Sequence, residues 1–305
     1  MTAFPEHAVS FHPVRRPALR YHGGKFRLAP WVQRFFPPHR VYVESFGGAA
    51  GVLLRKRPAY AEIYNDLDGE IVNFFRVLRD PQQRAKLIEA LVLTPYARAE
   101  FEASWTPADD SVDRARCTAI RACMGFGSGG ATKGSTGFRS SARRSYSTAM
   151  MDWLTYPMGL RAVAERFAGV LIENRPALDV LSQYDGPDTL HFVDPPYLRA
   201  TRATHQRVYR HEMSDAQHLQ LLALLKSLDG MVVLSGYDSD TYADELEGWT
   251  TYRTEARIAG GRGTSLRTEV VWLNPACQRA LDGAMGSLFA QANGGQQAVG
   301  ELRSA

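Results

Sequence analysis

Short, nearly unbroken apolar runs recur along the chain, each stopped by a polar or turn-forming cluster. Val41-Tyr42-Val43 ends at Glu44 and a glycine turn, Ala61-Glu62-Ile63-Tyr64 at Asn65-Asp66, and Val170-Leu171-Ile172 at Glu173. Leu190-His191-Phe192-Val193 ends at Asp194-Pro195-Pro196-Tyr197, and Met231-Val232-Val233-Leu234 at Ser235-Gly236. Such runs suit strands buried on both faces of a parallel sheet. Between them apolar residues take helical spacing: Gly69 to Arg79, after Pro81, Ala97 to Ser104, Val112 to Met124, and Ala177 to Ser182. Another helix is interrupted near Pro157, and the leucines from Leu219 to Leu228 follow a capping box, Ser214-Asp215-Ala216-Gln217, and stop at Gly230. Trp249 to Ala256 and Thr268 to Leu273 predict a terminal hairpin around a loop with Arg257, Arg262 and Arg267. The alternation predicts an α/β domain.

Open parallel sheets place their chemistry at strand carboxyl ends, where these polar clusters fall. At Asp194-Pro195-Pro196-Tyr197 two prolines remove N–H donors, leaving the carbonyls of Asp194 and Pro195 beside a carboxylate, with an aromatic ring next to them. That set suits an exocyclic amino group on a nucleobase; Asp-Pro is equally the pattern of a plain turn. In Glu44-Ser45-Phe46-Gly47-Gly48-Ala49-Ala50-Gly51, running on into an expected helix, the glycines depart from the dinucleotide fingerprint. The acid ahead of them disfavours a pyrophosphate and favours the cationic end of a ligand such as S-adenosylmethionine. Asp66 is placed for ribose hydroxyls or as a helix N-cap, a role Asp68 can also fill. Tyr21-His22-Gly23-Gly24-Lys25 is a glycine loop followed by a lysine at a helix start, with no specific signal of its own.

Forty-five per cent hydrophobic and 22% charged residues over 305 positions is ordinary globular composition. With no apolar run near 18 residues and no signal-like start, the expectation is a cytoplasmic protein without a membrane span. Three cysteines, Cys117, Cys123 and Cys277, lack metal-ligand spacing and are expected to be reduced and structural, with no metal. The charge is uneven. Seven basic residues and no acid lie between Arg114 and Met151, in a stretch that turns Gly-, Ser- and Thr-rich after Met124 and interleaves Phe126 and Phe138 with Lys133, Arg139, Arg143 and Arg144. This composition marks a linker or a segment that orders on nucleic acid. A second acid-free run, with Arg199, Arg202, Arg207 and Arg210, follows Tyr197 and reads as a phosphate clamp or a solvated loop.

Together these segments resemble the adenine-N6 DNA methyltransferases of the DNA adenine methylase type, the D12 class, in the motif order of its α group. Leu19 to Lys25 is similar to that family's first cofactor motif, Tyr42 to Gly51 to its glycine motif, Tyr64 to Asp66 to its ribose motif, Asp194-Pro195-Pro196-Tyr197 to its catalytic motif, and Thr268 to Asn274 to its last strand. Tyr21 stands where some members have tryptophan, and Glu44-Ser45 where many have an acid and proline. The resemblance implies a Rossmann-like S-adenosylmethionine-dependent methyltransferase sheet with helices on both faces, a terminal hairpin, and a smaller, helical and loop-rich target-recognition insertion. Its expected divisions are an arm at 1–17, the catalytic domain at 18–80 and 165–278, the insertion at 81–164, and a partly disordered tail at 279–305.

The implied reaction is methyl transfer from S-adenosylmethionine to N6 of an adenine flipped out of double-stranded DNA. Asp194, Pro195, Pro196 and Tyr197 would be catalytic. Tyr21 and Lys25 would meet the methionine carboxylate, Glu44, Phe46, Gly47 and Gly48 would lie beneath it, Asp66 would hold the ribose, and Asn174 would line the adenine side. Phe126, Lys133, Phe138, Arg139, Arg143 and Arg144 would read DNA, and Arg199, Arg202, Arg207 and Arg210 would grip phosphates. N4-cytosine methylation and a DNA-binding module without activity are the rivals. Monomer and homodimer stay open.

Overall fold

The computed structural model describes residues 14–132, 135–140, 148–202, 208–260 and 263–284. Strands β1 (Val41–Glu44), β2 (Ala61–Asn65), β3 (Val170–Glu173), β4 (Thr189–Val193), β5 (Met231–Gly236), β6 (Thr250–Gly260) and β7 (Gly263–Leu273) form one sheet in the order β3-β2-β1-β4-β5-β7-β6. The first five are parallel, and β7 runs antiparallel to both β5 and β6. The α/β expectation and the terminal hairpin are met. The hairpin is longer than expected, eleven residues in each strand, because its pairing continues past the point where β5 ends.

Helices α1 (Ala29–Val32), α2 (Gly69–Arg79), α3 (Pro81–Leu93), α4 (Arg98–Ala103), α5 (Ser111–Met124), α6 (Ala149–Leu154), α7 (Leu160–Phe167), α8 (Ala177–Gln183), α9 (Asp215–Ser227) and α10 (Asp240–Glu245) cover the sheet. Alternation along each strand divides the core. Phe192 and Val233 join the cluster of Phe74, Phe75, Ile120 and Phe167, while Val193, Val232 and Leu234 join that of Leu181, Leu221, Leu222 and Leu225. Helices α3 to α6 share the first cluster through Leu87, Phe101, Ile120 and Trp153, so the 81–164 segment has no core separate from the sheet. Asp68, not Asp66, caps α2, accepting from the Glu70 N–H at 3.0 Å.

Two expectations about local structure change. After Gly48 the chain forms consecutive turns through residue 55 instead of a helix, since Ala50 takes φ +55° and interrupts the ladder. The Gly-rich stretch after α5 is folded back on itself: the Phe126 N–H donates to the Gly137 carbonyl at 2.6 Å and the Arg139 N–H to that of Met124 at 2.7 Å. Ala131, Thr132 and Arg139 are buried there. Packing on α5, not an absent partner, orders the described part.

A buried ion triad fastens the sheet's far end. Glu62, at the start of β2, accepts from Lys56 Nζ at 2.7 Å and from Arg166 Nη2 of α7 at 2.8 Å, and all three side chains are 4% exposed.

Candidate active site

The strand order reverses between β1 and β4, so the loops leaving their carboxyl ends diverge and open a crevice. Glu44 pairs in register with Phe192, which puts Asp194 two residues beyond it on the neighbouring strand. One cleft, with an empty volume of ≈ 940 Å³ that includes open solvent, occupies this point. Tyr21 to Lys25, Glu44, Phe46 to Gly48, Asp66 to Asp68, Asp194 to Tyr197, and Tyr209 to Met213 line it. The candidate cofactor and catalytic residues therefore meet in one place, Asn174 excepted. Asn174 is exposed and donates to the carbonyls of Asp66 and Leu67 at 2.8 and 3.2 Å, bracing the loop after β2 instead of lining the cleft.

At the β4 end the chemistry is an ion cluster. Lys25 Nζ donates to Asp194 Oδ2 at 3.0 Å, stands 3.0 Å from Oδ1 and 3.9 Å from Glu269 Oε2, and lies 4.7 Å from the centroid of the Tyr197 ring. Burial alone would lower the lysine pKa, but Asp194 and Glu269 outweigh it and hold the ammonium well above the usual range. Burial raises the Asp194 carboxyl, and Lys25 pulls it back. Lys25, expected to serve a ligand carboxylate, donates here to Asp194. Asp194 Oδ1 is buried and lacks a hydrogen-bond donor despite the nearby ammonium. The Tyr197 hydroxyl donates to Glu269 Oε2 at 2.8 Å and sits 3.1 Å from Ser235 Oγ, while Tyr237 packs edge-on against its ring at 4.5 Å.

Glu269 had no role in the reading of the sequence. A lone acid inside the apolar run Thr268-Glu269-Val270-Val271 was the available signal, since a buried carboxylate needs a partner. Tyr209, whose hydroxyl lies 3.4 Å from the His22 carbonyl, was also missed, because nothing local ties the loop after Tyr197 to the N-terminal motif.

The β1 side is acidic. Glu44 Oε2 accepts from the Tyr42 hydroxyl at 2.7 Å and the Leu53 N–H at 2.9 Å; Oε1 has no partner among the described residues. Burial, against these two donors, pushes the Glu44 carboxyl up to about 8. Asp66 accepts from the Gly48 N–H at 2.7 Å and the Asp68 N–H at 2.8 Å, and burial raises it to about 6. Gly48 supplies that N–H at φ +47°, and a Cβ on Gly47 would lie 2.2 Å from Tyr64 Cε2, so the turn is pressed onto β2. The Tyr21 ring covers Gly48.

Most described candidates for DNA contact are committed internally. Arg139, 4% exposed, pairs with Asp152 at 3.0 Å. Arg202 Nε donates to the Tyr197 carbonyl at 2.9 Å and Nη2 pairs with Glu212 at 2.8 Å, holding the loop behind the site. Arg210 pairs with Asp68 at 3.2 Å, and Phe138 is half-buried against Tyr96 and Phe101. In the chain alone, neighbouring acids and rings hold these side chains. Phe126, 54% exposed, and Arg199 remain on the surface. Lys133, Arg143, Arg144 and Arg207 lie outside the described residues.

Cys117, Cys123 and Cys277 are buried and unbonded, as expected. Burial pushes the last two thiols up to about 12, which removes them as nucleophiles. Among the described residues no helix is long and apolar enough to cross a membrane.

Residues 21–111 match the family model for D12 class N6 adenine-specific DNA methyltransferase. Over that stretch the chain is similar to the D12 class. The match bears out the resemblance and the reading of the chain as a methyltransferase. It covers Tyr21 to Lys25 of the first cofactor motif, the glycine turn and Asp66, and stops short of Asp194, which the fold brings beside this stretch. Among curated proteins none matches. Two solved structures are similar at a low level. Precorrin 8w decarboxylase of Methanobacterium thermoautotrophicum is 10% identical over 81% of this chain and 89% of that one, with a TM-score of 0.33. A protein assigned as an RNA methyltransferase of Pyrococcus horikoshii is 11% identical over 87% and 91%, with a TM-score of 0.36. Both are recorded as similarities alone.

Proposed function

We propose that the chain methylates N6 of an adenine turned out of double-stranded DNA, using S-adenosylmethionine. One observation carries this reading: the acid-lined half of the cleft, within the D12 match, and the Asp194-Pro195-Pro196-Tyr197 half are a single space, so methyl donor and amino group can meet at Asp194. Glu44, Asp66, Asp68, Asp194 and Glu212 outnumber Lys25 and Arg210 in its wall, which favours a cationic ligand over a polyphosphate. The open oxygen of Glu44 suits the ligand's amino group, Asp66 its ribose, and the Tyr21 and Phe46 rings its apolar surfaces. When bound, S-adenosylmethionine supplies an electrophilic methyl group on a sulfonium that is its own leaving group.

The adenine N6 lone pair is delocalised into the ring. Hydrogen bonds from its two amino hydrogens to Asp194 Oδ1 and the Pro195 carbonyl draw N6 towards tetrahedral geometry. Burial raises the Asp194 carboxyl, and the Lys25 charge opposes this, favouring the ionised, accepting form. With the methyl passing from sulfur to N6 and the sulfur leaving as a neutral thioether, the surplus N6 proton would pass to the Asp194 carboxylate and from there to water. The Tyr197 ring stacks on the base and offsets part of an unstacking cost of about a few kcal/mol.

Tyr197→Ala is expected to raise KM for DNA about 5- to 150-fold, the equivalent of about 1–3 kcal/mol of stacking. Tyr197→Phe keeps the ring and loses the hydroxyl's contacts with Glu269 and Ser235, so steady-state kinetics should show a much smaller rise. Equal losses in both variants would move the function of Tyr197 from its ring to its hydroxyl.

Glu44 makes a pH prediction. Its proton is retained up to about pH 8 in the free protein, and a cation beside it favours the carboxylate. Calorimetry of S-adenosylmethionine binding at pH 6.5, in buffers of different ionisation heat, should show proton release that disappears in Glu44→Gln. By the same shift, the stability tied to this proton is fully present below the ordinary carboxylate pKa and is lost as pH rises through about 8. Sequencing DNA from cells that express the protein, with a method that reports modified bases, tests the whole reading: N6-methyladenine in a fixed context supports it, and N4-methylcytosine or unmodified DNA overturns it.

A further inference from the structure

The hairpin of β6 and β7 continues well beyond the sheet. Its pairing with β5 stops at Gly236 and Val270, whereas β6 and β7 remain paired out to Gly260 and Gly263. The ribbon therefore projects about 20 Å past the carboxyl edge, where β4 ends in Asp194. A two-stranded ribbon without a layer packed on it is marginal in stability, so an arm of this length needs a reason outside the core.

Its inner face is set by Glu269, whose carboxylate meets the Tyr197 hydroxyl at 2.8 Å. Side chains alternate along a strand, so Arg267 lies on the same face, about 7 Å further out. It is half-buried. Burial raises the Tyr237 hydroxyl pKa and Glu269 adds to this, while the Arg267 charge opposes both, consistent with a place near the ring that packs on Tyr197. Arg267 has no hydrogen bond or ion pair among the described residues, unlike Arg114, Arg121, Arg139 and Arg202. From Ala256 to Thr268 the sequence has three arginines and no acid. The face of the hairpin that carries Glu269 thus also carries a guanidinium with no partner among the described residues.

We propose that this hairpin is a DNA-binding arm, with Arg267 holding a backbone phosphate of the strand that delivers the target base. The inference rests on the proposed DNA substrate. Arginine suits the role because its planar fork donates two bonds to a phosphate and stays charged.

The test uses the full chain, duplex DNA across a range of salt concentrations, and the variants Arg267→Ala and Arg267→Lys. Arg267→Ala should weaken binding and raise KM for DNA about three- to tenfold and lower the slope of log affinity against log salt by about 0.9, the loss of one phosphate contact. The rate at saturating DNA, the S-adenosylmethionine affinity and the melting temperature should stay at wild-type values. Arg267→Lys should keep the slope. If the wild type binds and methylates DNA while Arg267→Ala leaves slope and KM unchanged, the arm assignment falls and the adenine reading stands. A wild type whose DNA binding ignores salt overturns both.

Discussion

Asp194→Asn is expected to lower the methyl-transfer rate by about 10²- to 10³-fold or more, the scale on which losing one preorganised polar contact at a reacting centre is felt, with S-adenosylmethionine and DNA affinities within a few-fold of wild type. The reason lies in the pairing with Lys25. Both carboxylate oxygens lie 3.0 Å from the ammonium, but only Oδ2 takes its hydrogen bond, which leaves Oδ1 as the acceptor proposed for the substrate. An asparagine has one acceptor, which the buried ammonium claims, so its NH2 would face the cleft as a donor against the incoming amino hydrogens. Shape is preserved and polarity reversed. The experiment is single-turnover kinetics at saturating ligands, with a melting curve as control. A variant that keeps more than about a tenth of the wild-type rate, one 1.4 kcal/mol step, would remove Asp194 from the chemistry.

The largest stability effect is expected at the other end of the sheet. Arg166→Ala leaves Glu62 buried with Lys56 as its remaining charge partner, and breaking a buried ion group in this way costs about 3–5 kcal/mol. At about 2–4 °C per kcal/mol for a domain of this size, the melting temperature should fall by about 6–20 °C. Replacing all three residues by apolar ones of similar volume should restore much of the loss, because no unpaired charge is left behind. A shift below about 3 °C, under one kcal/mol on the same scale, would mean that water reaches the site. Burial raises the Glu62 carboxyl, but Arg166 and Lys56 lower it further, to below the usual value. Its stability contribution is therefore present above the ordinary carboxylate pKa and lost as pH falls through the lowered one.

The strands were legible because continuous apolar runs such as Leu190 to Val193 have one sensible home, and the strand ends fell at the polar clusters that form the cleft. Charge was less legible. Arg139, Arg202 and Arg210 read as DNA contacts because the sequence immediately around them is free of acids, yet Asp152 and Glu212, 13 and 10 positions on, and Asp68, 142 positions back, pair with them. Local charge density reports a surface potential only where no distant acid folds back onto it. The same limit applied to Lys25, whose partner Asp194 is 169 positions away. Glu269 was visible as an acid in a buried strand, but its contact with Tyr197 depends on how β7 returns beside β5.

The ion cluster also sets when the protein becomes competent during its own synthesis. Lys25 emerges from the ribosome early, Asp194 much later, and Glu269 later still. Domains begin to fold from the N-terminal side as they are made, so the early strands and the glycine turn can meet before the reactive carboxylate exists. Until residue 269 has been added and its strand has inserted, Tyr197 lacks its anchor. Fragments released before that point would lack the Glu269 carboxylate that holds the Tyr197 hydroxyl.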